Sequence, residues 1–244
     1  RFDPTRREAL KTALAAPVAF ATAAAQVVPG TATAAPPGAA ASHSAKHKAG
    51  STMRSYQVGD QKGLDSLQFG ERPVPEPGPG EVRIAVKASA LNHRDLMVMA
   101  GRYGGPKPPT RVPVADGAGE VVALGAGVTR VKVGDRVTAP HFTPCIDRAY
   151  DTGGVGGDGG KSIDGGTSSD GWLQAHIVLP ATALVKLPAK VSYEEAAALG
   201  AAGITAWAVI EPLGRVKSGD VVLTLGTGGV AILALQIAKM GGAT

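Results

Sequence analysis

Residues 221–244, VVLTLGTGGVAILALQIAKMGGAT, decide the fold class of the chain. The run VVLTLG is apolar throughout, which is typical of a strand covered on both faces in a parallel sheet. The run GVAILALQIAKM is apolar on all sides, as expected for a helix that packs on such a sheet. Glycines separate the two runs. The stretch therefore predicts a strand, a tight turn and a helix, the repeating unit of a doubly wound α/β domain.

The turn between the two runs carries a phosphate-binding pattern. Gly226, Gly228 and Ala231 match G-x-G-x-x-A directly after a strand and at the start of a helix. The first glycine permits the tight turn, the second lets a pyrophosphate approach the backbone, and the alanine lets helix and strand pack closely. The free N–H groups at the start of the helix favour an anion. The residues predicted to bind a dinucleotide are Gly226, Thr227, Gly228, Gly229 and Val230.

Two questions stay open at this turn. A glycine-rich turn of this kind also occurs in α/β proteins that bind no dinucleotide. The residue that distinguishes NAD from NADP is expected about 20 residues after the first glycine, a position that falls beyond Thr244. The pattern therefore predicts a dinucleotide without choosing between NAD and NADP.

Residues 53–190 show many short strands separated by turns. In EVRIAVKASAL (81–91) apolar and charged residues alternate, which predicts a half-buried strand. Its apolar face is Val82, Ile84 and Val86, and its charged face is Arg83 and Lys87. Further short strands are predicted within 53–70, 119–125, 135–140, 172–180 and 183–188. This pattern predicts a small β-barrel-like domain.

After residue 190 the pattern changes. The stretch SYEEAAALGAAGITAWAVIEPL (192–213) predicts a helix that begins with a capping box formed by Ser192 and Glu195. The predicted strand and helix of 221–244 follow it. The chain is therefore predicted to be α/β in its fold class (α+β overall), with an all-β domain at 53–190 and the start of a nucleotide-binding domain at 191–244.

The first 52 residues are predicted to lie outside these domains. A twin arginine at 6–7 precedes the apolar segment TALAAPVAFATAAA (12–25), which ends in small residues and is too short to span a membrane. Residues 1–25 therefore indicate a twin-arginine export signal, and the alternative is an alanine-rich tail. Residues 26–52 are rich in Ala, Pro, Gly and Ser and are predicted to be a disordered linker.

Charge and cysteine content argue against some kinds of partner and site, and the export signal predicts the compartment. The net charge is +5, but the basic residues are scattered, so no contiguous face for nucleic acid is predicted. The single cysteine, Cys145, excludes an intramolecular disulfide and any zinc site built from several cysteines. The signal predicts export to the periplasm or the medium without a stable membrane anchor, whereas a translation start at Met53 would make the protein cytoplasmic.

Four stretches together resemble the medium-chain dehydrogenase/reductase superfamily. They are PGPGEVRIAVKASALNHRDLMVMAGRYGG (77–105), VPVADGAGEVVALGAGVTRVKVGDRV (112–137), EEAAALGAAGITAWAVI (194–210) and GDVVLTLGTGGVAILALQIAK (219–239). The resemblance covers about 53–244 and is nearest to the zinc-independent, quinone oxidoreductase-like branch. It implies a GroES-like β-barrel catalytic domain followed by the start of a Rossmann domain, which is the order that the residues themselves predict.

The resemblance also implies that no metal is bound. The zinc branches have a cysteine ligand where this chain has Asn92, and their Gly-His-Glu motif falls on Val-Ala-Asp at 114–116. Catalytic zinc needs about three protein ligands and an open position. The alternative is a regrouped site of His93, His141 and Cys145, which no spacing supports.

The same branch implies the site residues. Its LNxxDL segment faces nicotinamide and substrate and matches Asn92 and Asp95, while a tyrosine downstream matches Tyr103 and a threonine near the cofactor matches Thr205. Each residue has a structural alternative: the first two can cap a short helix, the tyrosine can pack, and the threonine can bond its own helix. The Gly- and Asp-rich segment 141–171 is predicted to be a flexible loop at the edge of the cleft.

The function implied by the resemblance is hydride transfer between a nicotinamide and a quinone, enone, carbonyl or alcohol. Hydrogen bonds, instead of zinc, would polarise this small-molecule substrate. The resemblance slightly favours NADP over NAD. Relatives are often homodimers through the edge of the Rossmann sheet, so the resemblance implies a homodimer for a full-length chain. The alternatives are a truncated, catalytically inactive fragment and a non-enzymatic binding module on the same fold.

Overall fold

The computed structural model describes residues 50–143 and 163–244. The predicted export signal (1–25), nearly all of the predicted linker (26–52) and Cys145 lie outside the described residues. Within the described residues, no helix is both long enough and apolar enough to cross a bilayer.

The strands form one larger antiparallel sheet and two small ladders. In chain order they are β1 (Thr52–Gln57), β2 (Gln68–Pro73), β3 (Glu81–Ala90), β4 (Asp116–Leu124), β5 (Arg136–Thr138), β6 (Phe142–Thr143), β7 (Ile163–Asp164), β8 (His176–Pro180) and β9 (Val185–Lys186). The five-stranded sheet has the order β8-β3-β4-β5-β9, β1 pairs with β2, and β6 pairs with β7. The β1–β2 hairpin joins the larger sheet through a bridge between Ser55 and Gln174.

The core of this β domain lies on the inner face of the five-stranded sheet. Its alternating strand residues point inward from β3, β4, β5 and β8, as the period of two requires. The buried members are Val82, Ile84, Val121, Val131, Val137, Ala139, Trp172, Ile177, Leu179, Ala181 and Leu184. The strands predicted from the sequence between 81 and 188 are all present, with bounds that differ by a few residues.

Four helices complete the described fold. They are α1 (His93–Met99), α2 (Tyr193–Ala198), α3 (Ala202–Ile210) and α4 (Gly229–Met240). The predicted capping box at the start of α2 is present, because Glu195 N–H donates to Ser192 Oγ at 3.1 Å and Ser192 N–H donates to Glu195 Oε2 at 2.8 Å. α3 and α4 pack on each other around a second, smaller core formed by Ala206, Ile210, Ala234 and Ala238.

The prediction of one helix over 192–213 is wrong, because α2 and α3 are separate helices. The break lies at residues 199–201. There the N–H of Ala201 donates to the carboxylate of Asp116 at 2.9 Å instead of continuing the helix. A contact with a residue 85 positions away thus overrides the local helix pattern.

The prediction of a strand at 221–226 is also not met among the described residues. Three backbone hydrogen bonds join this part of the chain to its end: Gly219 N–H to Gly242 O, Thr244 N–H to Asp220 O, and Val222 N–H to Thr244 O, at 2.8–2.9 Å. Their alternation is that of a parallel ladder, but it stops at Val222. Leu223 and Leu225 are 74% and 76% exposed, because no described segment lies beside them to complete a sheet.

Arg83 lies on the predicted charged face of β3, but that face is covered at this position. Val82 and Ile84 are buried as predicted, but Arg83 is only 5% exposed. Its guanidinium donates to Glu76 Oε1 at 2.7 Å and to Pro75 O at 3.3 Å. The proline-rich loop before β3 therefore folds back and covers the charged face of the strand.

We expect Ile84→Ala to lower the free energy of unfolding by about 2–5 kcal/mol, because it removes a fully buried side chain from a closely packed sheet. Ile84 lies opposite Val121 on β4 and Ile177 on β8. Val185→Ala, at a residue 45% exposed, is the control and should change stability by less than about 0.5 kcal/mol. Urea unfolding measures both, and equal losses would contradict this placement of the core.

Candidate active site

Asn92 and Asp116 meet at the end of the β domain. Asn92 follows β3 and precedes α1, and Asp116 opens β4, which is paired with β3. The Nδ2 of Asn92 donates to Asp116 Oδ2 at 2.9 Å. The same carboxylate oxygen accepts the N–H of Ala201 at 2.9 Å. One oxygen therefore joins a loop of the β domain to the start of α3.

The Asp116 carboxylate is almost fully buried, with 1% of the residue exposed. Burial raises its pKa, while the hydrogen bonds from Asn92 and Ala201 favour the charged form and act in the opposite direction. Its other oxygen, Oδ1, has no hydrogen-bond partner among the described residues. Gly200 lies against this oxygen so closely that a Cβ there would stand 2.4 Å from it. Position 200 therefore has room for a glycine only.

The backbone that leads into Asp116 is strained. Val114 is buried and has φ 76°, a left-handed conformation that β-branched residues rarely adopt. Its carbonyl accepts the N–H of Trp172 at 2.8 Å, and the carbonyl of Val112 accepts the N–H of Gly171 at 2.8 Å. Such strain costs about 1–3 kcal/mol and persists where the surroundings over-determine the backbone, often at functional sites.

Asp95 caps α1 and does not face outward. Its Oδ2 accepts the N–H of Asn92 at 2.8 Å, and the residue is 6% exposed. Burial raises the pKa of Asp95, although the hydrogen bond from the backbone of Asn92 opposes that shift. The structural alternative for Asp95 is therefore the arrangement found here, and Asp95 serves to fix the backbone of Asn92.

Arg94 ties α1 to the segment that begins at Asp164. Its Nη1 lies 2.6 Å from Asp164 Oδ1, and its Nη2 donates to Gly165 O at 3.0 Å. The side chains are only 11% and 14% exposed. The prediction of a flexible loop over 141–171 is therefore wrong for the described ends of that segment, because β6 pairs with β7 and this buried ion pair holds Asp164.

Tyr103 lies beside that ion pair. The guanidinium of Arg94 stands 4.8 Å from the centroid of its ring, a cation–π contact. The ring also packs against the small cluster of Val58, Val98 and Met99. The structure thus places Tyr103 next to α1 in a packing role.

Thr205 lies apart from these residues, on the exposed side of α3. Its hydroxyl donates to the carbonyl of Ala201, one turn earlier, at 2.7 Å. This is the bond to its own helix that the sequence left open as an alternative.

The glycine turn precedes α4 and is open on its outer side. Gly226 has φ 82°, which requires glycine, and a Cβ at either Gly226 or Gly228 would meet no atom within 4 Å. No side chain caps the start of α4 at Gly228, so its first N–H groups are available to an anion. Gly229 is close to α3, where a Cβ would lie 3.3 Å from that of Ala202.

Sequence reasoning missed two residues of this site, Asp116 and Arg94. Asp116 was noted only as the third position of a zinc motif, and Arg94 was not singled out. The available signal is an acidic residue, Asp116, in the middle of the small and apolar run VPVADGAG (112–119). A charge in such a run is rarely buried without a partner, but the partner could not be named. Across 50–143 and 163–244, no group of three His, Cys, Asp or Glu is arranged to hold a metal ion.

Comparison with known proteins gives consistent similarities. Residues 78–189 match the family described as the alcohol dehydrogenase GroES-like domain. A zinc-type alcohol dehydrogenase-like protein of Schizosaccharomyces pombe is 40% identical over 192 residues, which is 77% of this chain and 54% of that protein. The predicted GroES-like fold of the β domain is therefore confirmed.

Solved structures give the same result. The crystal structure of an NAD-dependent alcohol dehydrogenase is 37% identical, with a TM-score of 0.68 over 78% of this chain and 56% of that chain. A quinone oxidoreductase of Pseudomonas syringae pv. Tomato DC3000 is 34% identical, with a TM-score of 0.62 over 78% of this chain and 51% of that chain. The chain spans about half the length of the curated relatives it matches.

We expect the stability of the protein to depend on the titration of His141. Burial lowers the pKa of His141 from its ordinary 6.5, and the charge of Arg94 adds to the effect. The unfolded chain therefore binds the proton more readily, so stability is full above pH 6.5 and falls as the pH drops through that value. Urea unfolding at pH 7.5 and 5.5 should show a smaller loss for His141→Gln than for the wild type.

Phe142→Leu is the matched control for His141. The two rings lie 4.0 Å apart between centroids, so the control disturbs the same packing without removing a titratable group. Relative to the wild type, it should lower the free energy of unfolding by the same amount at both pH values, so its pH dependence should equal that of the wild type. A pH dependence of His141→Gln that equals that of the wild type would contradict the expected shift.

Proposed function

Because the chain belongs to the medium-chain dehydrogenase/reductase superfamily, we propose that it transfers a hydride between a nicotinamide cofactor and a small quinone, enone, carbonyl or alcohol, without zinc. The observation that carries the proposal is the 2.9 Å hydrogen bond from Asn92 to Asp116. By resemblance, Asn92 stands where the zinc branches have a cysteine ligand. Here an amide N–H points at a carboxylate, an arrangement of hydrogen-bond donor and acceptor.

The chemistry of the donor set supports a site without zinc. Zinc binds thiolate, imidazole and carboxylate groups, whereas the amide nitrogen of Asn92 is a donor with no lone pair to offer. Ala115 stands at the histidine position of the zinc motif and has no ligating atom. The Oδ2 of Asp116 already accepts two N–H groups.

The glycine turn supports the nicotinamide nucleotide. Gly226 and Gly228 leave their outer side open, and the uncapped N-terminus of α4 offers backbone N–H groups to a pyrophosphate. The bound nicotinamide gives or takes the hydride. The chain's own task is to orient the substrate and to stabilise charge on its oxygen. An asparagine amide has two N–H donors, and we assign the second N–H of Asn92 to that oxygen.

We expect Gly228→Val to weaken the binding of nicotinamide nucleotides by about 10- to 100-fold, because the side chain would cover the open backbone and remove a charge-assisted hydrogen bond. The substitution meets no protein atom within 4 Å of the Cβ, so the fold should be kept. Titration of the nucleotide against intrinsic fluorescence measures the affinity.

Gly241→Ala is the control at the other end of α4. Gly241 has φ −76°, which alanine adopts readily, and its new Cβ would make an ordinary contact at 3.4 Å. It should bind the nucleotide as the wild type does. Equal affinity of Gly228→Val and the wild type would remove the glycine turn from the proposed site.

Turnover is tested by oxidation of NADH and NADPH with a panel of quinones, enones and aldehydes, in the presence and absence of a metal chelator. We expect turnover that the chelator leaves unchanged and that Asn92→Ala reduces by about 100- to 1,000-fold, the usual cost of one lost donor to a developing oxyanion. Loss of turnover with the chelator, restored by zinc, would overturn the zinc-free site. Nucleotide binding without turnover would favour the binding module instead.

A further inference from the structure

The candidate substrate side and the candidate nucleotide side of the site are joined by a short path of contacts. Asp116 Oδ2 accepts both the side-chain amide of Asn92 and the backbone N–H of Ala201, each at 2.9 Å. Ala202, the next residue, begins α3 and lies so close to Gly229 of the glycine turn that a Cβ on Gly229 would stand 3.3 Å from the Cβ of Ala202. Along this path, Asp116, Ala201 and Ala202 link Asn92 to the glycine turn.

This path leaves the carboxylate little freedom. Asp116 is 1% exposed, and Gly200 lies directly against its other oxygen, where a Cβ would stand at 2.4 Å. The strained backbone of Val114 and the pairing of β4 with β3 set the position of its Cα. The carboxylate is therefore fixed from three sides, and Asn92 has one orientation in which its amide meets it.

We propose that Asp116 is the positioning residue of the site. It holds the side-chain amide of Asn92 and, through the N–H of Ala201, the start of α3, so that the amide keeps a fixed position relative to the glycine turn. This inference rests on the proposed function. Asp116 does not touch the substrate. It acts by directing one N–H of Asn92 inward, so that the second N–H points away from the carboxylate, toward the space assigned to the substrate oxygen.

The contact geometry predicts which substitutions preserve this role. Both hydrogen bonds end on one oxygen of Asp116, so an asparagine there can accept both through its amide oxygen. Asp116→Asn removes the charge and keeps the acceptor, whereas Asp116→Ala removes the acceptor. The charges that act on Asp116 are those of Asp95 and Arg94 on α1, and neither substitution alters them.

A double-mutant cycle in the full chain tests the inference by turnover. Asp116→Ala is expected to lower kcat on the order of 100-fold, as misplacement of an orienting group does, with little change in nucleotide affinity. Asp116→Asn should restore most of the loss. Asn92→Ala should add little when it is combined with Asp116→Ala, because both remove the same donor. If the effects of Asn92→Ala and Asp116→Ala on kcat multiply in the double variant, the two residues act independently and the inference is overturned.

Ser192→Ala is the control for stability. Ser192 caps α2, the helix that precedes Gly200, and its Oγ accepts the N–H of Glu195 at 3.1 Å. Its loss destabilises the protein without changing the amide of Asn92, so kcat should remain near the wild-type value. An equal loss of kcat in Ser192→Ala and Asp116→Ala would reduce the role of Asp116 to stability and overturn the inference.

A readout without turnover separates this inference from the proposed function. The side-chain amide protons of Asn92, assigned by two-dimensional proton–nitrogen NMR, should exchange slowly in the wild type and in Asp116→Asn and rapidly in Asp116→Ala. Unchanged exchange in Asp116→Ala would overturn the positioning role even if the enzyme is active. Slow exchange in a protein that shows no hydride transfer would overturn the proposed function and leave the Asn92–Asp116 contact established.

Discussion

The rest of the site depends on one buried carboxylate oxygen, Oδ2 of Asp116. Carrying a charge out of water costs several kcal/mol unless hydrogen bonds compensate, and here two N–H groups offset part of that cost at Oδ2. One comes from the loop before α1 and the other from the loop before α3. The requirement to satisfy this group fixes the position of both loops. It also explains why the chain breaks its helix at Gly200, where no other residue fits.

A buried ion pair also holds α1. Arg94 holds Asp164 and the carbonyl of Gly165, so the segment after β7 is drawn against the loop that contains Val114. Close backbone contacts at Gly166 and Gly171 complete that packing. Replacing either partner would leave an uncompensated buried charge. The helix α1 is therefore held at its N-terminus by Asp95 and along its side by Arg94, which keeps Asn92 in place although the helix has only seven residues.

Much of the fold followed from the sequence because its determinants are local. Alternation located β3, and the Ser192–Glu195 pair located the start of α2. The failures came from contacts between distant residues. Alternation places Arg83 on the charged face of β3, but it does not show that a proline-rich loop covers that face. The break between α2 and α3 depends on Asp116, and a strand at 221–226 needs neighbours that a local apolar run does not supply.

Only part of the site could be predicted, because some of its contacts join residues that are distant in the sequence. Asn92 and the glycine turn could be named by motif, but the partner that orients Asn92 is 24 positions away, and nothing in the local pattern connects them. Asp95 and Thr205 both have the hydrogen bonds that their structural alternatives describe. The roles predicted for both residues toward a ligand stay predictions.

The apolar core of the β domain and the core between α3 and α4 share no residue. The smaller one, between α3 and α4, contains four buried side chains, three of which are alanines. Small side chains bury little area, so we expect this unit to open at a lower free energy than the β domain, as a separate cooperative unit. The glycine turn then belongs to the less stable unit, and a ligand bound there would order it at the expense of part of its own binding energy.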